Sequence, residues 1–208
     1  MVGKFDMPVL RPVTESADPH DLVPFNAAMT EVEPEKKWYH FYIDDYQFER
    51  IWRAPKRYLD ILRRFEGGIT PDFSLYLNMP VAQQVWNCWR NRVMAYWMQE
   101  MGLNVIPNVP WSDEMSLEWA LDGIPEDSVL AMSTQGAMCS RFFKHPLLNG
   151  LHELATRKRP RKLVVYGRFL EAWKERFPMP IVVCKTFTQS KWGRYGGWAK
   201  GKVDIQKR

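Results

Sequence analysis

The chain has 208 residues, a length that fits one domain with a substantial core and no help from metals or disulfides. Ten tryptophans, eight tyrosines and eleven phenylalanines exclude a largely disordered chain. Three cysteines without a C-x-x-C pair argue against a secreted disulfide scaffold and against a zinc site of cysteine pairs, so we expect a reducing cytoplasm. No apolar run approaches transmembrane length and the first residues lack a signal-peptide core, so we expect no membrane partner.

Basic charge is concentrated near the C-terminus. The formal net charge is +5 and the sequence pI is about 9.1, which predicts modest attraction to polyanions. From Lys185 onward the chain carries seven cations against Asp204 alone, so the remainder is close to balanced.

Residues 1–37 are rich in proline and show neither helical nor strand periodicity. Proline fixes the backbone φ and removes an N–H donor, so this segment is expected to be extended. Its apolar pairs Val9-Leu10 and Leu22-Val23 favour packing over free extension. We predict that residues 1–37 form an arm packed on a domain of residues 38–188.

Six short β-branched or aromatic runs alternate with longer amphipathic segments after the arm. The runs are Trp38–Ile43, Gly68–Phe73, Asn104–Val109, Val129–Ser133, Leu163–Tyr166 and Ile181–Thr186. The segments between them predict helices at about residues 46–65, 79–101, 113–121, 144–158 and 169–176. Such alternation is typical of parallel strands with helical crossovers. We therefore predict an α/β domain of five or six short, mostly parallel strands, arranged as an open sheet or an incomplete TIM-like barrel.

Polar side chains follow the predicted strands where each strand ends. Ligands of parallel sheets and barrels bind at this carboxyl-end face. The candidate catalytic carboxylates there are Asp44, Asp45, Asp72 and Asp113. The candidate substrate-binding groups there are Ser133, Tyr166, Arg168 and Lys185. This combination suits acid–base catalysis or the binding of a divalent metal.

Helix capping is the structural alternative for several of these residues. Asp44-Asp45 and Ser112-Asp113 precede predicted helices, where Asp and Ser often serve only as caps, and Asp45 and Ser112 are the candidates for that role. Asp72 is separated from the next predicted helix by several residues, so it does not occupy a capping position. An Asx turn is the alternative for Asp72, and we favour a functional role for it.

The predicted helix at 79–101 is dense in tryptophan. At roughly 100° per residue, Trp86, Trp89 and Trp97 fall in an apolar half of its circumference. The opposite half carries Gln84, Asn87, Arg90 and Asn91. Because an aromatic stripe at helical spacing usually packs in the core, we predict that the tryptophans are packing residues.

Arg92 is the exception on this helix, because it lies inside the apolar arc. A buried arginine is costly unless it is paired. We therefore expect it to meet Asp72 or Asp44, either as a structural clamp or as an anion-binding group of the site.

Cofactor motifs give little further guidance. The four histidines show no H-E-x-x-H and no triad spacing, and the chain has neither a Walker loop nor a G-x-G-x-x-G. We therefore expect no NAD, FAD or P-loop nucleotide site, and a divalent metal at the carboxylates stays an option.

The tail, residues 189–208, interleaves cations, aromatics and glycines. Lys and Arg attract phosphates and aromatic rings stack on bases, so this composition favours binding of DNA or RNA. The candidate nucleic-acid-binding residues are Lys191, Trp192, Arg194, Tyr195, Trp198 and Lys200. The alternative is a solvated tail whose aromatic side chains dock on the domain.

Five stretches of the sequence resemble a known family. They are Phe41–Glu49, Thr70–Tyr76, Gln84–Arg92, Val105–Glu114 and Asp122–Pro125. In these the chain is similar to the domain-of-unknown-function family numbered forty-four seventeen, which is widespread in bacteriophages, prophages and conjugative elements. The resemblance implies an accessory protein of a phage or mobile element in the bacterial cytoplasm, and it implies no particular activity.

Three function hypotheses follow. The first is an enzyme in which Asp44, Asp72 and Asp113, assisted by Arg92 and Arg168, act on a nucleotide, a nucleic acid or a glycosidic bond. The second is a non-catalytic module that binds nucleic acid or a host protein through the tail and the aromatic surface. The third, suggested only by the phage setting, is a sponge-type protein that disarms a host defence.

Overall fold

The structure, a computed structural model, describes residues 1–14, 17–137 and 141–186, with the side chains of all of these except 141–143. The predicted tail therefore lies outside the described residues. Within the described part of the chain, no helix combines the length and the apolar character that crossing a membrane requires.

Seven short parallel strands run through the described part of the chain. They are β1 (Leu22–Pro24), β2 (Trp38–His40), β3 (Gly67–Ile69), β4 (Val105–Ile106), β5 (Val129–Ser133), β6 (Lys162–Tyr166) and β7 (Ile181–Cys184). Strands β1 to β4 form one sheet in chain order, and β5 to β7 form another. Strands β2 to β7 match the six predicted runs, which confirms the α/β class with short parallel strands. Strand β1, inside residues 1–37, is not among the predictions.

The helices lie between the strands, as the alternation predicts. They are α1 (Asp45–Arg53), α2 (Leu59–Leu62), α3 (Val81–Glu100), α4 (Leu117–Ala120), α5 (Arg141–Lys158) and α6 (Glu171–Lys174). Short 3-10 turns occupy Ala28–Thr30, Pro34–Lys36 and Pro55–Tyr58.

The two sheets meet where β4 passes β5. Asn108 forms a parallel bridge with Ala131, whose N–H donates to the Pro107 carbonyl at 2.9 Å and whose carbonyl accepts from Val109 N at 2.9 Å. The spatial order of the strands is therefore their chain order. Among the described residues no ladder joins β7 to β1, so the sheets stay open and form no closed barrel.

One face of both sheets shares a single interior cluster. It contains Trp38, Ile69, Ile106, Val129 and Val164, with Ala17 from the arm. The arm packs across the amino ends of β5 and β6, since Val13 N donates to Ser128 Oγ at 2.8 Å and Lys162 Nζ donates to the Ala17 carbonyl at 3.2 Å. The carboxyl ends of the strands are left as the open face.

Two glycines let aromatic side chains of β2 lie flat against β3. The register pairs Trp38 with Gly67 and Tyr39 with Gly68. A Cβ at Gly67 would stand 2.6 Å from the Trp38 ring, and one at Gly68 would stand 2.0 Å from the Tyr39 ring. Adjacent strand residues face opposite sides of a sheet. Gly67 therefore makes room for Trp38 on the interior face, and Gly68 makes room for Tyr39 on the opposite face.

Helix α3 buries its polar side and turns Trp86 outward, so the prediction that Trp86 is a packing residue is wrong. Trp86 is 47% exposed, whereas Asn87 and Asn91 are buried. The reason is that the amides bind loop backbone: Asn91 accepts from Phe73 N at 2.7 Å and donates to Phe73 O at 3.0 Å. Asn87 donates to the Ser74 carbonyl at 2.7 Å. The polar side of α3 thereby fixes the segment that follows β3.

Candidate functional site

A cleft of about 1110 Å³ opens at the carboxyl ends of the strands. The segments at or after the ends of β1 to β6 all contribute to it, through Asn26, Tyr42, Asp44, Asp72, Trp111, Ser133 and Tyr166. A concave site of this size at this face is where parallel sheets hold their ligands. The face chosen from the sequence therefore carries a ligand-sized cleft.

Asp72 lines the cleft, and its pKa is shifted by its surroundings. Asn108 Nδ2 donates to Asp72 Oδ1 at 2.7 Å. Burial raises the pKa of Asp72 to about 7; the Asn108 hydrogen bond opposes this rise and the charge of Asp45 adds to it. A carboxyl group that exchanges its proton near neutral pH is suited to general acid–base catalysis.

Asn108 is the buried anchor of this carboxyl group. It is 1% exposed, its N–H donates to Thr70 Oγ1 at 2.8 Å, and its Oδ1 accepts from Tyr42 Oη at 2.9 Å. Because the amide oxygen is taken by Tyr42, the amide NH₂ faces Asp72. Sequence reasoning missed Asn108 and Tyr42. The signal available was position, since each stands two residues beyond the last residue of its strand.

Three rings pack together on the side of Asn108 that Tyr42 occupies. The ring centroids of Tyr42 and Tyr166 are 5.0 Å apart at 22°, and His40 lies 4.5 Å from Tyr166. Burial lowers the pKa of His40 to about 3, so the imidazole is neutral near pH 7. Its Nδ1 accepts from Tyr42 N at 3.1 Å, which places its proton on Nε2. Burial and the charge of Asp72 raise the pKa of Tyr42, so its hydroxyl stays protonated and donates to Asn108.

Asp44 and Asp45 separate into two roles. Asp44 is exposed, lines the cleft and accepts from Gln47 Nε2 at 3.2 Å. Asp45 is not among the lining residues. Its carboxylate accepts from Ser74 N at 3.1 Å and from Ser74 Oγ at 2.8 Å, so it holds the segment after β3.

Asp113 also lies outside the cleft lining. Its Oδ1 accepts from Ser116 N at 2.9 Å, and its carbonyl accepts from Ser116 Oγ at 2.6 Å. Ser116 directly precedes α4, so this pair shapes the turn into that helix.

Arg92 is buried among carbonyl oxygens, and the prediction that it pairs with Asp72 or Asp44 is wrong. Its guanidinium donates to the carbonyls of Asp122 at 3.0 Å, of Asn108 at 3.3 Å, and of Ala120. Helix α4 ends at Ala120, and carbonyls at a helix end lack intrahelical partners and carry partial negative charge. These oxygens accept the hydrogen bonds of the cation, and the negative charge of Asp122 also favours its charged form. Arg92 therefore acts as a clamp between α4 and the Asn108 backbone.

Of the remaining predicted binding residues, two line the cleft and two do not. Ser133 and Tyr166 line the cleft, whereas Arg168 and Lys185 are exposed and are not part of its lining. The described lining residues include two carboxylates, Asp44 and Asp72, and no lysine, arginine or histidine. The ionisable side chains among these lining residues are therefore acidic.

No metal centre and no tail contact can be placed on the described residues. Within them, no group of three or more His, Cys, Asp or Glu side chains is arranged to hold a metal ion. The predicted nucleic-acid-binding residues Lys191, Trp192, Arg194, Tyr195, Trp198 and Lys200 lie outside the described residues.

Comparison with known proteins connects the chain to phages. The family model for the Domain of unknown function (DUF4417) matches residues 1–185. The Gene 1 protein of Mycobacterium phage L5 is 37% identical over 182 residues, which are 80% of this chain and 79% of that protein. The Gene 1 protein of Mycobacterium phage D29 is 34% identical over 181 residues, 80% of this chain and 67% of that protein. No solved structure matches the chain.

Proposed function

We propose an acid–base enzyme acting on a small uncharged ligand as the function of this chain, which belongs to the Domain of unknown function (DUF4417) family. The observation that carries the proposal is Asp72, a carboxyl group with a pKa of about 7 that Asn108 orients at the edge of a large cleft. The two relatives are phage proteins. We propose the cytoplasm of the host bacterium as the place of action.

The charge of the cleft favours an uncharged ligand. Asp44, and Asp72 in its ionised form, repel phosphates, and among the described lining residues no cation would neutralise a nucleotide or a nucleic-acid backbone. Rings of Tyr76 and Trp111 line the cleft and offer apolar surface against which a sugar or a base can pack. Hydroxyl and amide side chains such as Ser133 and Gln135 offer hydrogen bonds to ligand hydroxyls. A nucleoside or a neutral saccharide fits these features.

A glycosidic bond suits the two carboxyl groups. Hydrolysis of such a bond uses one protonated carboxyl group as the acid and one carboxylate as the base or nucleophile. In the proposed reaction, protonated Asp72 donates its proton to the leaving atom as the bond to the anomeric carbon breaks. Asp44 takes a proton from the attacking water, whose hydroxyl group bonds to that carbon. Near neutral pH Asp72 is populated in both protonation states, which permits the acid role.

A binding experiment with matched probes tests this function. Saturation-transfer NMR would compare adenosine, guanosine, cytidine, uridine and thymidine with their 5′-monophosphates, and would include methyl glucosides as neutral sugars. We expect an uncharged compound to bind and its phosphorylated counterpart to bind more weakly. Reducing-sugar release from the bound compound should be lost in Asp72→Asn while binding is retained. Stronger binding of the monophosphates, or full turnover by Asp72→Asn, would contradict the proposal.

Of the two other predicted functions, only the sponge-type protein would use this cleft. A sponge-type protein that sequesters an uncharged molecule would use the same residues without turnover, so retained binding by Asp72→Asn with no product from either protein would favour it. Binding of nucleic acid or of a host protein through the tail stays a separate prediction.

A further inference from the structure

Three tryptophan rings form a surface cluster where α1 meets α3. Trp86 and Trp89 stack at 5.5 Å between ring centroids with an angle of 14°. Trp52 stands edge-on to both, at 5.7 Å from Trp86 and 6.3 Å from Trp89. Trp86 is 47% exposed and the other two are half-buried. We term these three residues the tryptophan platform.

Buried groups hold the platform in place from behind. The Arg90 guanidinium lies 3.7 Å from the Phe73 ring centroid, 5.8 Å from that of Trp86 and 5.9 Å from that of Trp52. It donates to Glu49 Oε2 at 2.9 Å, and Arg90 is only 9% exposed. The rings are therefore ordered before any partner arrives, which lowers the entropic cost of binding.

Exposed cations continue from the platform along the chain. Arg53, Lys56 and Arg57 follow Trp52 within five residues and are all exposed. Arg53 is tied to the platform through Glu49, whose carboxylate lies 4.0 Å from Arg53 Nε and also accepts from Arg90. No salt bridge within the described residues includes Lys56 or Arg57. Lys56 and Arg57 therefore add uncompensated positive charge to the segment that follows Trp52.

We propose that the tryptophan platform, with Arg53, Lys56 and Arg57, binds single-stranded nucleic acid, outside the cleft and independently of the function proposed for it. Exposed rings stack on bases of any sequence, and neighbouring cations attract the phosphates that link those bases. The exposed cations follow the platform residue Trp52 within one short segment, Trp52–Arg57. An apolar protein segment would satisfy the rings but would leave the cations without partners, so the charge favours the nucleic acid.

Fluorescence anisotropy on the full chain tests the proposal. The probe is a fluorescein-labelled oligothymidylate of about 12 nucleotides, within the range of known single-strand site sizes. We expect Trp86→Ala to weaken binding about tenfold or more, as loss of one stacked base does. We expect a double Lys56→Ala, Arg57→Ala variant to weaken binding and to flatten the slope of log affinity against log salt by about 0.7 for each phosphate that the variant no longer neutralises.

Tyr96→Ala is the matched control, because Tyr96 is 45% exposed on the same helix. It stands ten residues from Trp86, about 15 Å along the helix at 1.5 Å per residue. We expect this variant to bind as the wild type does. Equal affinities of the Trp86→Ala and Tyr96→Ala variants would overturn the proposal. So would a loss of self-association in Trp86→Ala without a change in oligonucleotide affinity, since that result would identify the platform as a protein contact.

Discussion

The Asn108 amide donates a 2.7 Å hydrogen bond to the Asp72 carboxylate across the carboxyl ends of two neighbouring strands. Asn108 also bridges to Ala131 and thereby joins the two sheets. The position of the proposed acid–base group therefore depends on the junction that holds the fold together, and structure and chemistry can be perturbed through the same residue.

Replacing Asn108 by leucine should reduce stability and shift the titration of Asp72. Tyr42 and Asp72 both lose a buried hydrogen-bond partner, so the free energy of unfolding should fall by about 1–3 kcal/mol. The pKa of Asp72 should rise, because the hydrogen bond from Asn108 lowers it in the wild type. Urea denaturation measures the first effect. Asn104→Leu is the control, since Asn104 is exposed and its side-chain amide donates to the Glu66 carbonyl. An equal loss in both variants would contradict the anchor role.

Asp72 should make stability fall as pH rises from about 4 to about 7. Its pKa in the folded protein is about 7, whereas an unfolded aspartate titrates near about 3.9. In this window the folded state binds more protons than the unfolded state, so raising the pH favours unfolding. The free-energy cost of ionising buried Asp72 is absent below the pKa of the unfolded state. It is fully present above the pKa of the folded state.

Asp72→Asn removes this dependence. Its advantage in unfolding free energy over the wild type should therefore grow between pH 5 and pH 8, on the order of 2–3 kcal/mol at 1.36 kcal/mol per pKa unit. Chemical denaturation of both proteins at the two pH values is the measurement. If the difference in unfolding free energy between the two proteins is the same at pH 5 and at pH 8, burial does not disfavour the ionised form of Asp72.

On helix α3, removing an amide should cost more than removing a tryptophan. Asn91→Ala leaves the buried N–H and C=O of Phe73 without partners, so the unfolding free energy should fall by about 2 kcal/mol or more. Trp86→Ala removes a ring that is 47% exposed and loses its stack on Trp89, so it should cost less, about 0.5–1.5 kcal/mol. Thermal unfolding of the two variants decides between them. The reverse order would mean that the aromatic face of α3 is packed in solution.

Deletion of residues 191–208 should weaken binding of single-stranded nucleic acid and flatten its salt dependence. The deleted segment carries six cations, and the slope falls by about 0.7 for each phosphate of a single strand that is no longer neutralised. The labelled oligothymidylate used for the platform serves here as well. If affinity and salt slope are both unchanged, the tail has no role in nucleic-acid binding.

The parallel strands and the face that carries the cleft could be predicted because their signals are local. Short hydrophobic runs bounded by turns identify parallel strands, and the face follows from strand direction. Asp72 and Ser133 were within reach for this reason. Strand β1 was not, because a three-residue strand ending in Pro24 leaves no periodicity to detect.

The partners of buried polar side chains could not be predicted because they are set by tertiary contacts. Arg92 meets carbonyls at the end of α4, which is distant in sequence, and not a carboxylate. Asn91 is polar by composition yet buried, since Phe73 supplies both partners for its amide. A helical periodicity analysis places such residues in solvent, because it shows which side chains are polar. It does not show which of them find hydrogen-bond partners in the folded protein.

The most direct test of the central claim is the titration of the Asp72 side-chain carboxyl group, followed by ¹³C NMR from pH 4 to pH 9. The signal is assigned by its absence in Asp72→Asn. We expect one aspartate resonance with a titration midpoint near 7, and a higher midpoint in Asn108→Leu. A wild-type Asp72 that titrates below about pH 5, in the range of ordinary aspartates, would contradict it.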